Sequence, residues 1–360
     1  MIHAPEFSLV TVRLLAWITL GFVLLLVLVL LLLRWLRWRS EPQKLAFRQQ
    51  WSDILMRCAV GEDLNVELLT LKSSERWPFI KLWLHCQMSL KGPSRDRLAA
   101  LAYDLGCQSM LMKKLTSNYA AERLMAILAL GFLKDKQAQP ALLDQLRGDS
   151  QQTALYAARA LLEIDANAHA LTAVQSMLAQ KNLDFSLVSV LFKTFGSALS
   201  NAMATLMPRV LPPQMPDSDT KSTPLQWLRL ARALSLQVSA ESLASFLSDT
   251  DDIDILIAAI RLMQGEQNTL VLKAHALHTD WRVRAQVARA LGRIGQLHDV
   301  DLLVRMTTDS QWWVRYRATQ ALLRIPGLTL SRAQLLIQGT GDRFAVNMLE
   351  SITSEFETIS

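Results

Sequence analysis

The sequence has few of the residues from which catalytic and metal sites are usually built. Its 360 residues include only three cysteines, Cys58, Cys86 and Cys107, an odd number without CxxC spacing. This pattern predicts neither a disulfide framework nor a zinc site. The 13 glycines are spread thinly along the chain, and no P-loop, Rossmann glycine pattern or G-x-S-x-G motif occurs. We therefore expect no catalytic residue, no bound metal and no cofactor, and we expect the protein not to be an enzyme.

Histidine offers one weak metal motif. The chain has six histidines, none of them in an HExxH arrangement. His275 and His278 are three residues apart, so they could ligate a metal from one face of a helix. A pair of surface or packed histidines is the simpler interpretation, and we adopt it.

Charge is absent from Leu14 to Leu33, a run of 20 residues that also lacks proline. At about 1.5 Å per residue, such a helix spans about 30 Å, the thickness of the hydrocarbon core of a bilayer. The run is too long for the apolar part of a signal peptide, and no small-residue cleavage site follows it. We predict an uncleaved transmembrane helix with an interfacial end over residues 14–38. Its predicted membrane-interface residues are Trp17, Arg34, Trp35, Arg37, Trp38 and Arg39.

Basic residues are concentrated on the C-terminal side of this helix. Arg34, Arg37, Arg39, Lys44 and Arg48 follow it, whereas only Arg13 precedes it. The positive-inside bias therefore predicts a short non-cytoplasmic tail over residues 1–13 and a cytoplasmic C-terminal domain. The expected location is a bacterial inner membrane, with one membrane pass, and the free cysteines suit a reducing compartment.

The rest of the chain contains an internal repeat of about 31 residues. Val283-Arg284 recurs as Val314-Arg315, and Ala290-Leu291 recurs as Ala321-Leu322. The same spacing links Ala259 to Ala290 and, in the N-terminal half, links Leu98, Ala129, Ala160 and Leu191. Each period also holds a second helix-like segment, such as the one that begins at Pro140, so the repeating unit is a helical hairpin. Such a unit must stack on its neighbours to bury its apolar surface.

We therefore predict an all-α protein, an α-solenoid of helical hairpins preceded by one transmembrane helix. The predicted segments are a membrane-proximal helical cap at 40–94, repeats at 95–207, a Pro-rich loop insertion at 208–224, repeats at 225–350 and a C-terminal tail at 351–360.

The repeat resembles the HEAT repeat, particularly the short bacterial form also found in phycobilisome-lyase-like proteins. The pattern Asp…Val-Arg-x-x-Ala-x-x-Ala-Leu is matched best by residues 280–292 and 309–322. The resemblance covers roughly residues 95–350 and implies a solenoid fold. It also implies that Arg284 and Arg315 bond to Asp280, Asp309 or backbone carbonyls between stacked repeats; an anion site is the alternative.

Residues 272–326 combine positive charge with tryptophan. They hold nine basic and four acidic residues, which is 9 − 4 = +5. Trp281 and Trp312 occupy matched places one repeat apart, with Trp313 beside them. Trp and Arg are enriched at interaction hot spots, so the candidate partner-binding residues are Trp281, Arg282, Trp312, Trp313 and Arg317. The alternative is that the Trp rings pack between repeats.

These features favour a membrane-anchored scaffold or adaptor that binds a protein partner at the cytoplasmic face of the inner membrane. The partner would be a subunit of a membrane assembly, such as a polysaccharide-synthesis or secretion complex. The alternatives are binding of anionic lipid or nucleic acid through the basic 272–326 surface, and a lyase-like enzyme. Nucleic acid is the less favoured ligand, because residues 40–360 outside that surface carry a net charge of +3 − 5 = −2.

Overall fold

Every regular element in the described part of the chain is helical, and no strand occurs there. The computed structural model describes residues 9–62, 69–148, 150–180, 182–210, 222–248 and 250–359. The side chains of residues 9–13, 15–16, 33, 35–44, 208–210, 222–223 and 355–359 lie outside that description. Two compact units are present, Met1–Thr116 and Ser117–Ser360. The predicted all-α class is confirmed.

In the described residues of the N-terminal unit there are four α-helices: α1 (Leu9–Val60), α2 (Arg76–Ser89), α3 (Pro93–Asp104) and α4 (Gln108–Lys114). Helix α1 is continuous, so the predicted transmembrane segment and the start of the predicted cap share one helix. Its C-terminal part packs against α2 and α3. Trp51 meets Phe79 edge to face at 4.9 Å, and buried Trp83 donates from Nε1 to the Leu98 carbonyl at 2.7 Å. The indole N–H of Trp83 therefore has a partner inside the core.

Within the described residues, the C-terminal unit begins with α5 (Ala120–Phe132) and continues through fourteen more helices. Short polar caps begin several of its helices: Asp165, Asp184, Asp252 and Asp280 each accept a hydrogen bond from a backbone N–H of the first turn. The remaining helices are α6 (Gln139–Arg147), α7 (Gln151–Ile164), α8 (Ala166–Ala179), α9 (Phe185–Phe192), α10 (Gly196–Val210), α11 (Ser222–Ala233), α12 (Ala240–Ser248), α13 (Ile253–Leu262), α14 (Thr269–Ala274), α15 (Trp281–Ile294), α16 (Val300–Met306), α17 (Trp312–Leu322), α18 (Leu330–Gln338) and α19 (Arg343–Ile359).

These helices form two layers. The odd-numbered helices from α5 to α19 each pack against the next odd-numbered helix, and this series is called the odd layer below. Helices α6, α12, α14, α16 and α18 each pack against the odd-numbered helix that follows them, and form the other layer. The alanines that define the period, Ala129, Ala160, Ala259, Ala290 and Ala321, are at most 1% exposed. The 31-residue period is therefore confirmed as the register of the odd layer.

Two glycines allow neighbouring odd helices to approach closely. A Cβ built on Gly131 would lie 2.6 Å from the Ala160 Cα, and one built on Gly292 would lie 2.8 Å from the Ala321 Cα. Because real Cβ atoms do not come so close to backbone, both positions require glycine at this helix separation. The two glycines stand at the same place in their repeats, two residues after Ala129 and Ala290.

One described segment, Phe185–Met207, is long and apolar enough to cross a membrane by length and composition. It comprises α9, a 3₁₀ turn and α10, and 44% of its most apolar window is buried inside the structure. It therefore contributes to the core of the repeats. Trp17–Leu32 is a shorter apolar stretch of α1. The predicted 208–224 insertion lies largely outside the described residues.

Candidate interaction surface

Arg284 links two consecutive repeats. Its Nε and Nη2 donate to the Asp309 carboxylate at 2.7 and 2.8 Å, and its Nη1 donates to the carbonyls of His278 and Thr279. Both side chains of the pair are less than 15% exposed. Burial opposes ionisation of Asp309, but hydrogen bonds from Arg284 and from the Gln311 N–H outweigh it, so the pKa of Asp309 lies below its usual value. Arg284 is therefore a structural residue, as the family resemblance implied.

Arg315 and Arg123 repeat part of this arrangement. Nη1 of Arg315 donates to the Asp309 and Ser310 carbonyls, and Nη1 of Arg123 donates to the Ser117 carbonyl at 2.8 Å. In each repeat the guanidinium thus binds the turn just before its own helix. Asp280 does not bind Arg284; it pairs with exposed Arg282 at 2.8 Å. The hydrogen bond from Arg282 lowers the pKa of Asp280.

The three predicted tryptophans lie at the N-terminal turns of odd helices and face solvent. Trp281 is 36% exposed, Trp312 is 48% exposed and Trp313 is 50% exposed. Among the described ring contacts, none joins Trp281 to Trp312, although the period places them one repeat apart. Trp312 instead stacks on Tyr316 at 5.1 Å, and Trp313 meets Trp312 edge to face at 4.7 Å. The Trp rings therefore pack within their own repeat and remain accessible.

Phe344 extends this surface into the next repeat. It is 52% exposed and stands one period after Trp313. The guanidinium carbons of Arg315 and Arg343 lie 5.5 and 4.9 Å from its ring centroid, within cation–π range. The other predicted residue, Arg317, lies over the Tyr316 ring at 5.5 Å. We call this set the aromatic row; it comprises Trp281, Arg282, Trp312, Trp313, Tyr316, Arg317, Arg343 and Phe344.

Tyr316, Arg343 and Phe344 were not among the residues predicted from the sequence. For Phe344 the signal was the period itself, since adding 31 to Trp313 gives residue 344. Tyr316 lies one turn after Trp312 on the same helix, where side chains are neighbours.

A second group of arginines lies further along the odd layer. Arg261 donates from Nε to the Gln286 side chain at 3.2 Å, and Arg293 donates to the carbonyls of Arg261 and Met263. Partial burial lowers the pKa of Arg261, and the positive charges of Arg232, Arg289 and Arg229 lower it further. Burial is also the main cause of the lowered pKa of Arg293, and the positive charges of Arg289 and Arg232 lower it further. Two of these five arginines, Arg289 and Arg293, fall within the predicted basic surface; the other three lie before it.

Within the described residues, no cluster of three or more His, Cys, Asp or Glu side chains could hold a metal ion. His275 follows the end of α14, and its Nδ1 lies 3.0 Å from the Val271 carbonyl; Nδ1 of His278 accepts from the Asp280 N–H. Each histidine is thus engaged locally in a turn. Cys58 and Cys107 are buried, and burial raises the pKa of the Cys107 thiol to about 11.

The predicted membrane-interface residues are described only in part. Trp17 is 73% exposed and Arg34 is also exposed. The side chains of Trp35, Arg37, Trp38 and Arg39 lie outside the described residues.

Comparison with known proteins identifies the repeat. Residues 240–323, which span α12 to α17, match the family model described as HEAT repeats. One similar solved structure is an engineered protein, with 18% identity, 79% of this chain and 85% of that chain covered, and a TM-score of 0.33. Another is the complex of CpcE and CpcF of phycocyanin lyase from Nostoc sp. PCC7120. It has 16% identity, 80% of this chain and 96% of that chain covered, and a TM-score of 0.26. At these TM-scores neither likeness carries an argument about function. No curated protein matches the chain.

Residues 240–323 therefore resemble HEAT repeats, and the segment that they form is called the HEAT repeats below. The fold of the C-terminal unit, with successive helices packed through the odd layer, is that of an α-solenoid.

Proposed function

We propose that this protein is a non-catalytic adaptor, anchored in the bacterial inner membrane by residues 14–38, that binds a protein partner at the cytoplasmic face through the aromatic row. The observation that carries the proposal is the exposure of four large aromatic side chains at the N-terminal turns of three consecutive odd helices. Trp312, Trp313 and Tyr316 also contact one another, and folded proteins seldom leave such clustered aromatic surface without a binding role.

The composition of the row favours a protein as its ligand. Trp, Tyr and Arg are the residues that contribute most to binding energy at protein interfaces. Trp312, Trp313 and Tyr316 stack on one another, so each ring loses little freedom when a partner binds. Arg317 lies over the Tyr316 ring and favours a partner with acidic residues around an apolar centre.

The membrane anchor is supported by the surface of α1. From Trp17 to Leu32 every large apolar side chain is at least 42% exposed, and no neighbouring helix covers it within the described residues. A bilayer would remove this surface from water, whereas in solution it would remain an aggregation hazard. Anchoring would also raise the local concentration of the HEAT repeats near a membrane-bound partner.

The proposal can be tested by crosslinking in intact cells. A photo-crosslinking aromatic residue replaces Trp313, and adducts are compared with those from the same residue at Tyr119, which is 74% exposed at the start of α5. We expect one recurrent protein adduct at position 313 only. Trp281→Ala/Trp312→Ala should reduce recovery of that protein by about tenfold or more in pull-downs of the full-length chain.

The control for the pull-down is Tyr103→Ala/Tyr119→Ala, which removes two exposed aromatic rings away from the row. It should leave recovery unchanged. The proposal is wrong if no protein adduct forms at 313, or if the adducts are lipids, or if both double variants lose the partner equally.

A further inference from the structure

Five arginines from three consecutive odd helices share one exposed region of the C-terminal unit. They are Arg229 and Arg232 on α11, Arg261 on α13, and Arg289 and Arg293 on α15. The i, i+3 spacing of the first pair and the i, i+4 spacing of the last pair place each pair on one face of its helix. The Arg261–Gln286 hydrogen bond ties α13 to α15 within this face. We call this group the arginine cluster.

Two of the five guanidinium groups are held by the protein and three are not. Arg293 binds the carbonyls at the C-terminal end of α13, and Arg261 binds the Gln286 side chain. Within the part of the chain that the structure describes, Arg229, Arg232 and Arg289 have no hydrogen bond or ion pair. Their donors are therefore available to a ligand, next to two guanidinium groups that are already fixed in place.

The cluster is short of negative charge. Of the described carboxylates, only that of Asp254 raises the pKa of Arg261, against three arginines that lower it. Asp254 lies in the first turn of α13, whereas Arg261 lies in its last turn. Because the positive charges of Arg232, Arg289 and Arg229 act unfavourably on that of Arg261, an anionic ligand that enters the cluster removes repulsion as well as forming new bonds.

We infer that the arginine cluster binds an extended acidic segment of the protein partner, and that the segment continues onto α17 toward the aromatic row. This inference rests on the proposed adaptor function. The guanidinium fork matches a carboxylate in two parallel hydrogen bonds. One period after Gln286 and Arg293 stand Arg317 and Arg324, so basic side chains continue along the face of α17 beside Trp313.

A peptide fits this surface better than a nucleic acid. Asp251, Asp252 and Asp254 lie at the N-terminal end of α13 and bound the cluster on that side. A phosphate backbone, which carries a charge at every step, favours an uninterrupted basic track. A short run of Asp or Glu residues in a partner peptide can bind the cluster and end before it reaches these aspartates, so it avoids their repulsion.

The test measures binding of a fluorescein-labelled oligo-glutamate peptide to the full-length protein in detergent, by fluorescence anisotropy at low and moderate salt. We expect Arg232→Ala/Arg261→Ala/Arg289→Ala to weaken binding by about tenfold or more. The matched control is Arg147→Ala/Arg305→Ala/Arg332→Ala, which removes the same charge from exposed positions on α6, α16 and α18 in the other layer. It should weaken binding by less than about twofold, because distant exposed charges are screened.

The inference is overturned if the two triple variants weaken peptide binding equally, since bulk charge would then explain the affinity. It is also overturned if a single-stranded oligonucleotide or soluble glycerol phosphate, the headgroup of phosphatidylglycerol, binds the wild type more tightly than the peptide and loses that affinity in the cluster variant. Circular dichroism checks that each variant remains folded. If partner adducts at position 313 persist while the peptide does not bind, only this inference fails and the adaptor proposal stands.

Discussion

At the scale of single residues, the Arg284–Asp309 pair is the clearest link between repeats. Its two parallel hydrogen bonds lie in a region where both side chains are less than 15% exposed. Removing the charge of Asp309 leaves the Arg284 guanidinium partly buried without its counter-ion. We expect Asp309→Asn to lower the free energy of unfolding by about 2 kcal/mol, measured by denaturant titration of the full-length protein in detergent.

This pair also sets an acid dependence of stability. Because the folded-state pKa of Asp309 lies below its unfolded value of 3.8, the ionised form stabilises the fold. The contribution is present above pH 3.8 and is lost as the pH falls through the lower folded-state pKa. Asp309→Asn should therefore show a smaller loss of stability between pH 5 and pH 3 than the wild type. Asp280→Asn is the control at neutral pH, because its partner Arg282 is exposed and its amide oxygen can still cap α15. A fall in the free energy of unfolding at neutral pH as large as that caused by Asp309→Asn would contradict this account.

At the scale of helices, the contact between α15 and α17 depends on Gly292. Alanine has the higher helix propensity by about 1 kcal/mol, but its Cβ would lie 2.8 Å from the Ala321 Cα. Since backbone atoms cannot yield as a flexible side chain does, α17 would have to move. We expect Gly292→Ala to destabilise the protein by about 1–3 kcal/mol and to lower the melting temperature followed by circular dichroism.

Gly196 gives the matched control. It begins α10, and a Cβ built there meets nothing within 4 Å. Gly196→Ala should leave the melting temperature unchanged or raise it, because at this position the substitution changes only the helix propensity and creates no steric clash. A gain in stability from both substitutions would show that the close approach at Gly292 does not limit the packing of the odd layer.

The same helices show how far the sequence could predict the fold. Small residues that recur every 31 positions fixed the register of α5, α7, α13, α15 and α17, because an interhelical contact admits only a small side chain at each crossing. In α11 the period was broken by six extra residues, and Trp227 and Leu228 are buried there while Arg229 is exposed. A repeat length cannot indicate where inserted residues enter, so the Arg229–Arg232 face became visible only in the structure.

The tryptophans illustrate the same limit at the candidate site. Whether Trp281 faces solvent depends on whether it belongs to α15, whose inward face begins at Val283. The period aligned Trp281 with Trp312 but did not place the helix start between Asp280 and Trp281. Because Asp280 caps α15, Trp281 is the first residue of this helix. The helical period of 3.6 residues then places Trp281 on a different face from Val283 and Val287.

At the scale of the whole molecule, charge and apolar surface are distributed unequally along the chain. Of the net charge of +6, residues 1–39 carry 4 − 1 = +3, most of it just after the apolar run. The exposed apolar surface of α1 lies immediately before these basic residues. The proposed single membrane pass, with the HEAT repeats in the cytoplasm, would account for both features.

This topology predicts the outcome of labelling with a membrane-impermeant maleimide. Ser8→Cys should be labelled in intact spheroplasts, whereas Ser248→Cys, exposed at the end of α12, should be labelled only after permeabilisation. The native thiols give a low background, because Cys58 and Cys107 are buried, Cys86 is partly buried, and burial raises the pKa of all three. A variant without residues 1–38 should leave the membrane fraction. Labelling of Ser248→Cys in intact spheroplasts would instead place the HEAT repeats outside the cytoplasm, and salt extraction of the full-length protein would argue against a spanning helix.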